Sequence, residues 1–183
     1  MKIMNVGYNI LVYHVNSFDK VDAVIKSFNS GKNKLYVSEE DGYWAGSGMY
    51  FWDNRGNVAY WKKDRERKNI ETSVLSATLS LDEENVLDLT DEDMVNSYNR
   101  MWPYIAKKFN VEKDCSPGKK LNYICKFIPK IKVVKLIGYY PTKVENKFFS
   151  TREELPHMTT TAKTIFCVKN GDRLSNVNLV ESD

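Results

Sequence analysis

The segment Tyr43-Trp44-Ala45-Gly46-Ser47-Gly48-Met49-Tyr50-Phe51-Trp52 constrains this chain more than any other, because it sets two glycines among aromatic side chains. Neither glycine carries a Cβ, so backbone can approach another group closely at Gly46 and Gly48. Trp44, Tyr50 and Trp52 flank that point and offer ring faces on which a flat heteroaromatic group can stack. A glycine turn between aromatic core residues has the same composition, and the segment alone leaves both readings open.

Around it, short strand patterns alternate with helical ones. Ile10-Leu11-Val12-Tyr13-His14-Val15 is a β-branched and aromatic run closed by Asn16-Ser17, which predicts a strand with His14 at its end. Phe18 to Phe28 has helical spacing and Asn29-Ser30-Gly31 stops it; a second amphipathic helix begins at Asn57-Val58-Ala59-Tyr60-Trp61 and runs into a charged stretch that faces water. Val74 to Leu81 and Asn85 to Leu89 read as strands. Asp91 to Phe109 reads as a helix with Thr90 as its cap, Asp93 in the capping-box position and Pro103 kinking or dividing it. Leu121 to Ile128 is a further helix ended by Pro129. Strands are expected over Ile131 to Tyr140, Lys163 to Asn170 and Asn176 to Val180. The long polar stretch from Pro141 to Thr161 is a candidate substrate-facing loop.

A chain of 183 residues with 42% hydrophobic and 28% charged residues suits one domain with its own core. Lysine and arginine exceed aspartate and glutamate by 27 to 24, and a net charge of +3 permits nucleic-acid binding without indicating it. Cys115, Cys125 and Cys167 are widely separated and lack a C-x-x-C spacing, which argues against a disulfide framework or a zinc site. No apolar window approaches the roughly 20 residues a membrane span needs, and the N-terminus lacks a signal-peptide pattern, so a cytoplasmic protein without membrane partners is expected.

His14 sits where a strand gives way to a loop, a place from which sheets present functional groups, although a histidine there can equally be a structural hydrogen-bonding residue. The order Tyr13-His14, then a helix, then Trp44 to Trp52 with its Gly46-Ser47-Gly48, then Ala59-Tyr60-Trp61 resembles the ADP-ribosyltransferase superfamily, in particular its diphtheria-toxin and poly(ADP-ribose)-polymerase branch. There the first motif resembles Tyr-His-Gly-Thr and the second Gly-x-Gly-x-Tyr-Phe. The resemblance is best over residues 10 to 61 and weaker at Ile165 to Asn170 and Arg173-Leu174.

That resemblance implies an α+β fold with a split, bent antiparallel β core and peripheral helices, with NAD as substrate in the cleft between the halves. It implies that His14 hydrogen-bonds the ribose on the nicotinamide side and that Tyr50 stacks on the nicotinamide ring. Tyr13, Trp44, Gly46, Gly48, Trp52 and Tyr60 would complete the NAD site. The Val15 backbone would meet the carboxamide, where the family usually has glycine. The third catalytic position, often glutamate at the start of the late strand, matches Lys163-Thr164-Ile165. Thr164 offers at best a hydroxyl there, which cannot stabilise developing positive charge as a carboxylate does. Glu39, Asp41, Glu153 and Glu154 are alternative sources of the acid.

The expected function is a bacterial or phage-type mono-ADP-ribosyltransferase, a toxin or defence effector that modifies a macromolecule, protein or nucleic acid; a toxin of this kind would need an antitoxin or tight regulation. The alternatives are an NAD-binding or NAD-hydrolysing protein without a transfer target, and a non-enzymatic module that binds RNA or protein through its aromatic and basic segments.

Overall fold

Two long strands organise the sheet, one built on β-branched and aromatic residues and the other on an apolar residue at every second position. The computed structural model describes residues 7–38, 44–139 and 161–180. In β3 (Thr72–Leu81) the buried positions alternate as Leu75, Ala77, Leu79 and Leu81, while β1 (Tyr8–Ser17) buries Val12 and then His14, Val15 and Asn16 in succession, where both of its faces are covered. Ten consecutive residue pairs lock them antiparallel, from Tyr8 opposite Leu81 to Ser17 opposite Thr72. The remaining elements are α1 (Phe18–Asn29), β2 (Met49–Trp52), α2 (Arg55–Glu66), β4 (Val86–Asp88), α3 (Glu92–Phe109), α4 (Pro117–Phe127), β5 (Val133–Tyr139), β6 (Ala162–Val168) and β7 (Leu174–Leu179), the last preceded by a 3-10 turn at Gly171–Arg173.

The seven strands form one curled sheet in the order β4-β5-β6-β2-β1-β3-β7, so the described residues make a mixed α+β architecture. Every neighbouring pair is antiparallel except β4 with β5. The sheet nearly parts in its middle: β1 and β2 share a single residue pair, Tyr13 opposite Trp52, whereas β2 and β6 share four and β5 and β6 seven. The result is two half-sheets, β7-β3-β1 and β2-β6-β5-β4, hinged at one rung.

Three apolar clusters hold the halves. The largest joins Val21 and Val24 of α1 to Val12, Leu75 and Leu79 of one half and to Met49, Phe51, Phe166 and Val168 of the other. On the opposite face α3 and α4 cover the second half-sheet through Trp102, Ile105, Leu121 and Ile124 packed on Val134 and Cys167. A small third cluster of Val15, Trp52, Val58 and Ile165 lies beneath α2.

Several boundaries differ from the sequence expectation. β1 continues through Ser17, so His14 lies inside the strand and not at its end. The cap of α3 is Asp91, whose carboxylate accepts from the Asp93 and Met94 amides, while Thr90 turns back to bond Asp88. Pro103 sits inside α3 without dividing it; Trp102, Ile105 and Ala106 on either side of it are buried, and that packing offsets the lost helical hydrogen bond. α4 starts at Pro117, with Ser116 accepting from the Lys119 amide, four residues before the apolar run that betrayed it. The stretch from Pro141 to Thr160 lies outside the described residues. No helix among the described residues is long and apolar enough to cross a membrane.

Candidate functional site

The site is built at the seam. Where β1 and β2 diverge past Tyr13 and Trp52, the His14 imidazole spans the gap and its Nδ1–H donates to the Tyr50 carbonyl over 2.7 Å. A carbonyl only accepts, so Nδ1 must carry the proton, and in the neutral ring Nε2 is left as an acceptor. Asn16 fits that assignment: its Oδ1 accepts from the Ser17 amide at 3.0 Å, which turns its amide nitrogen toward Nε2 at 3.4 Å. Both residues are buried, His14 at 7% and Asn16 at 6% exposure. Burial drives the His14 imidazole from its ordinary 6.5 down to about 4, the bond to the Tyr50 carbonyl opposes the shift, and the positive charges of Arg65 and Lys20 lower it further. His14 is therefore neutral, with one tautomer, across the physiological range.

The glycine segment is folded back onto α4 and β6. The Tyr50 hydroxyl donates to the Gly46 carbonyl at 2.7 Å and accepts from the Ala45 amide at 3.2 Å. Asn122 of α4 accepts from the Ser47 amide and donates to the Ser47 hydroxyl, and the Lys169 ammonium donates to the Ala45 and Ser47 carbonyls. Gly46 has φ +71°, and a Cβ there would strike Asn122 and the Gly118 carbonyl; one at Gly48 would strike Cys167 Sγ and crowd the Val168 carbonyl. Both glycines are thus required by packing, whatever ligand approaches them.

A cavity of about 640 Å3 opens at this seam, within the range of about 300–1,000 Å3 common for small-molecule sites. His14, Val15, Trp44, Gly48, Tyr50 and Trp52, all read from the sequence as site residues, line it together. Four others do not. Tyr13 packs half-buried beside the third cluster with the Arg55 guanidinium 5.9 Å above its ring. Gly46 is turned toward α4. Tyr60 is exposed on α2 and meets the edge of Trp61 at 5.8 Å. Thr164, on β6, pairs with Ile137 of β5, and because neighbouring strand residues point to opposite faces, the late-strand side chain in the cavity wall is its neighbour Ile165. Glu39, Asp41, Glu153 and Glu154 lie outside the described residues.

The wall also holds residues that the sequence reading passed over, among them Asn16, Lys20, Tyr36, Trp61 and Arg65. Val58, Trp61 and Arg65 recur at helical spacing, so one face of α2 presents all three, and that periodicity was the available signal. Lys20 and Tyr36 are far apart in sequence and meet only in the fold, where the ammonium sits 4.3 Å from the ring centre. Trp52 Nε1 is buried with no hydrogen-bond partner among the described residues. No aspartate or glutamate is among the described residues that line the cavity, and no group of three potential metal ligands occurs among the described residues.

Comparison with known proteins adds little to this geometry. No protein-family profile matches the chain. It is 21% identical over 179 residues to an uncharacterised protein of Methanocaldococcus jannaschii, an alignment covering 87% of this chain and 81% of that protein. Among solved structures it is similar to the M. tuberculosis MbcT-MbcA toxin-antitoxin complex, with a TM-score of 0.41, 9% identity, and 97% of this chain and 84% of that chain covered.

Proposed function

We propose that this chain is a mono-ADP-ribosyltransferase that takes NAD as substrate, passes ADP-ribose to a macromolecular acceptor, and acts as a toxin or defence effector restrained by an antitoxin. The observation that carries the reading is the meeting of His14 and Tyr50 in one cavity at the seam of the two half-sheets. Those are the two residues to which the family resemblance assigns the nicotinamide ribose and the nicotinamide ring.

The chemistry available to each follows from its surroundings. With Nδ1–H committed to the Tyr50 carbonyl, the Nε2 lone pair of His14 can accept from a ribose hydroxyl once that hydroxyl displaces the long contact from Asn16. The tethered hydroxyl of Tyr50 fixes its ring, and Trp44 and Trp52 add aromatic wall. A nucleophile on the acceptor attacks the anomeric carbon of the nicotinamide ribose, the carbon–nitrogen bond breaks, nicotinamide leaves with the electron pair, and the acceptor's proton passes to solvent. Positive charge builds on the ribose meanwhile. The described wall supplies no carboxylate to balance it, so the contribution of these residues is orientation, an effect that reaches several kcal/mol. Single transfer fits that site better than polymer elongation.

Incubating the purified chain with NAD labelled in the adenylate, cell lysate and RNA tests the reading. Label on a macromolecule together with released nicotinamide is expected. Nicotinamide release without labelled acceptor would make the chain an NAD hydrolase, and the absence of both signals would end the enzymatic reading.

A further inference from the structure

The two cationic side chains in the cavity wall take no part in the chemistry above. Lys20 comes from α1, whose Val21 and Val24 belong to the largest cluster, and Arg65 comes from α2, whose Val58 belongs to the third cluster. The seam thus receives one cation from each face of the sheet. The ion pairs of the described residues are Lys26 with Asp22, Lys68 with Asp64, Lys135 with Asp88 and Arg173 with Asp82, so neither cavity cation is in a direct ion pair with a described carboxylate. Lys20 is held over the Tyr36 ring, which fixes its ammonium without removing its charge. The positive potential of both is felt at His14 on the cavity wall.

An aromatic cavity walled by two half-buried cations and by no described carboxylate favours an anion, which both charges attract across a space partly closed to water. A guanidinium fork combined with a compact ammonium is the pairing that phosphate oxygens accept most readily. We propose that Lys20 and Arg65 form a phosphate-binding pair, so that the cavity selects ligands carrying a pyrophosphate and rejects the corresponding nucleosides. The proposal rests on the same cavity as the NAD reading, and does not require that NAD be the ligand.

Titration of the full chain with ADP, NAD and nicotinamide riboside, followed by calorimetry, tests it. Lys20→Gln and Arg65→Gln, each checked for an unchanged melting temperature, are expected to weaken ADP and NAD binding by about tenfold to a hundredfold, the usual range for a lost charge-assisted hydrogen bond. Nicotinamide riboside should bind the variants as it binds the parent. Lys20→Arg should recover most of the loss, and added salt should weaken the parent more than the double variant. ADP bound equally well by parent and folded variants would overturn the proposal, as would a parent that takes neither ADP nor NAD. The two readings separate cleanly. ADP binding that is lost in the variants, with NAD refused, keeps the phosphate pair and removes the NAD function; NAD binding undiminished in the variants does the reverse.

Discussion

At the scale of single residues, His14 is the group whose chemistry depends most on its surroundings. Its imidazole is lowered to about 4 in the folded chain against an ordinary 6.5, mainly by burial, so the folded state resists the proton that the unfolded chain accepts. Above pH 6.5 both states are neutral there and His14 contributes no pH dependence. As pH falls from 6.5 toward 4, stability drops by up to about 1.4 kcal/mol per pH unit, then levels. Asp82 and Asp88, which burial pushes up but hydrogen bonds and the charges of Arg173 and Lys135 hold below the ordinary carboxylate range, add their losses only at more acid pH. Urea unfolding of the parent and of His14→Gln from pH 7 to 4 measures this, and parallel curves would refute it. Tyr50 supplies a second case. Tyr50→Phe keeps the ring but removes the acceptor of the Ala45 amide and leaves the Gly46 carbonyl only the weak Cys167 thiol donor, and should cost about 1–3 kcal/mol in urea unfolding while NAD affinity falls little. The identities of both residues were legible in the sequence, because a histidine in a short strand and a tyrosine after two glycines stand out. Lys20, Asn16 and Arg65 were not, because a polar side chain gains its meaning from partners on other elements.

At the scale of elements, the candidate site lies at the seam between β1 and β2, and the glycine segment lends Trp44 and Gly48 to its wall. Gly46→Ala must place a Cβ at φ +71° against Asn122 and the Gly118 carbonyl, and is expected to cost about 1–3 kcal/mol of stability and to weaken ligand binding, measured by thermal unfolding and calorimetry. Removing the ammonium that clasps the Ala45 and Ser47 carbonyls, as in Lys169→Met, should speed amide exchange over residues 44–48 and leave the exchange of β3 unchanged. Strands and helices were readable where periodicity was strong, as in α1 and β3. The misread boundaries were those decided by a neighbour: Asp91 outcompeted Thr90 because the Thr90 hydroxyl found Asp88, and Pro103 stayed helical because the residues around it were buried. The single rung between β1 and β2 was not legible, since nothing in the alternation of either strand announces it.

At the scale of the whole molecule, one backbone rung joins the half-sheets, yet the largest apolar cluster draws side chains from both. Fluorescence and circular dichroism should therefore report a single coincident unfolding transition, and two separated midpoints would show that the halves are independent. The same arrangement places a neutral imidazole, aromatic walls and two cations around one cavity that both halves shape. A crystal structure of the chain soaked with NAD tests the central claim most directly. It should show the dinucleotide in the seam, with a hydroxyl of the nicotinamide ribose about 3 Å from His14 Nε2 and the nicotinamide ring against Tyr50. NAD bound away from His14 and Tyr50, or excluded from the cavity at saturating concentration, would contradict it.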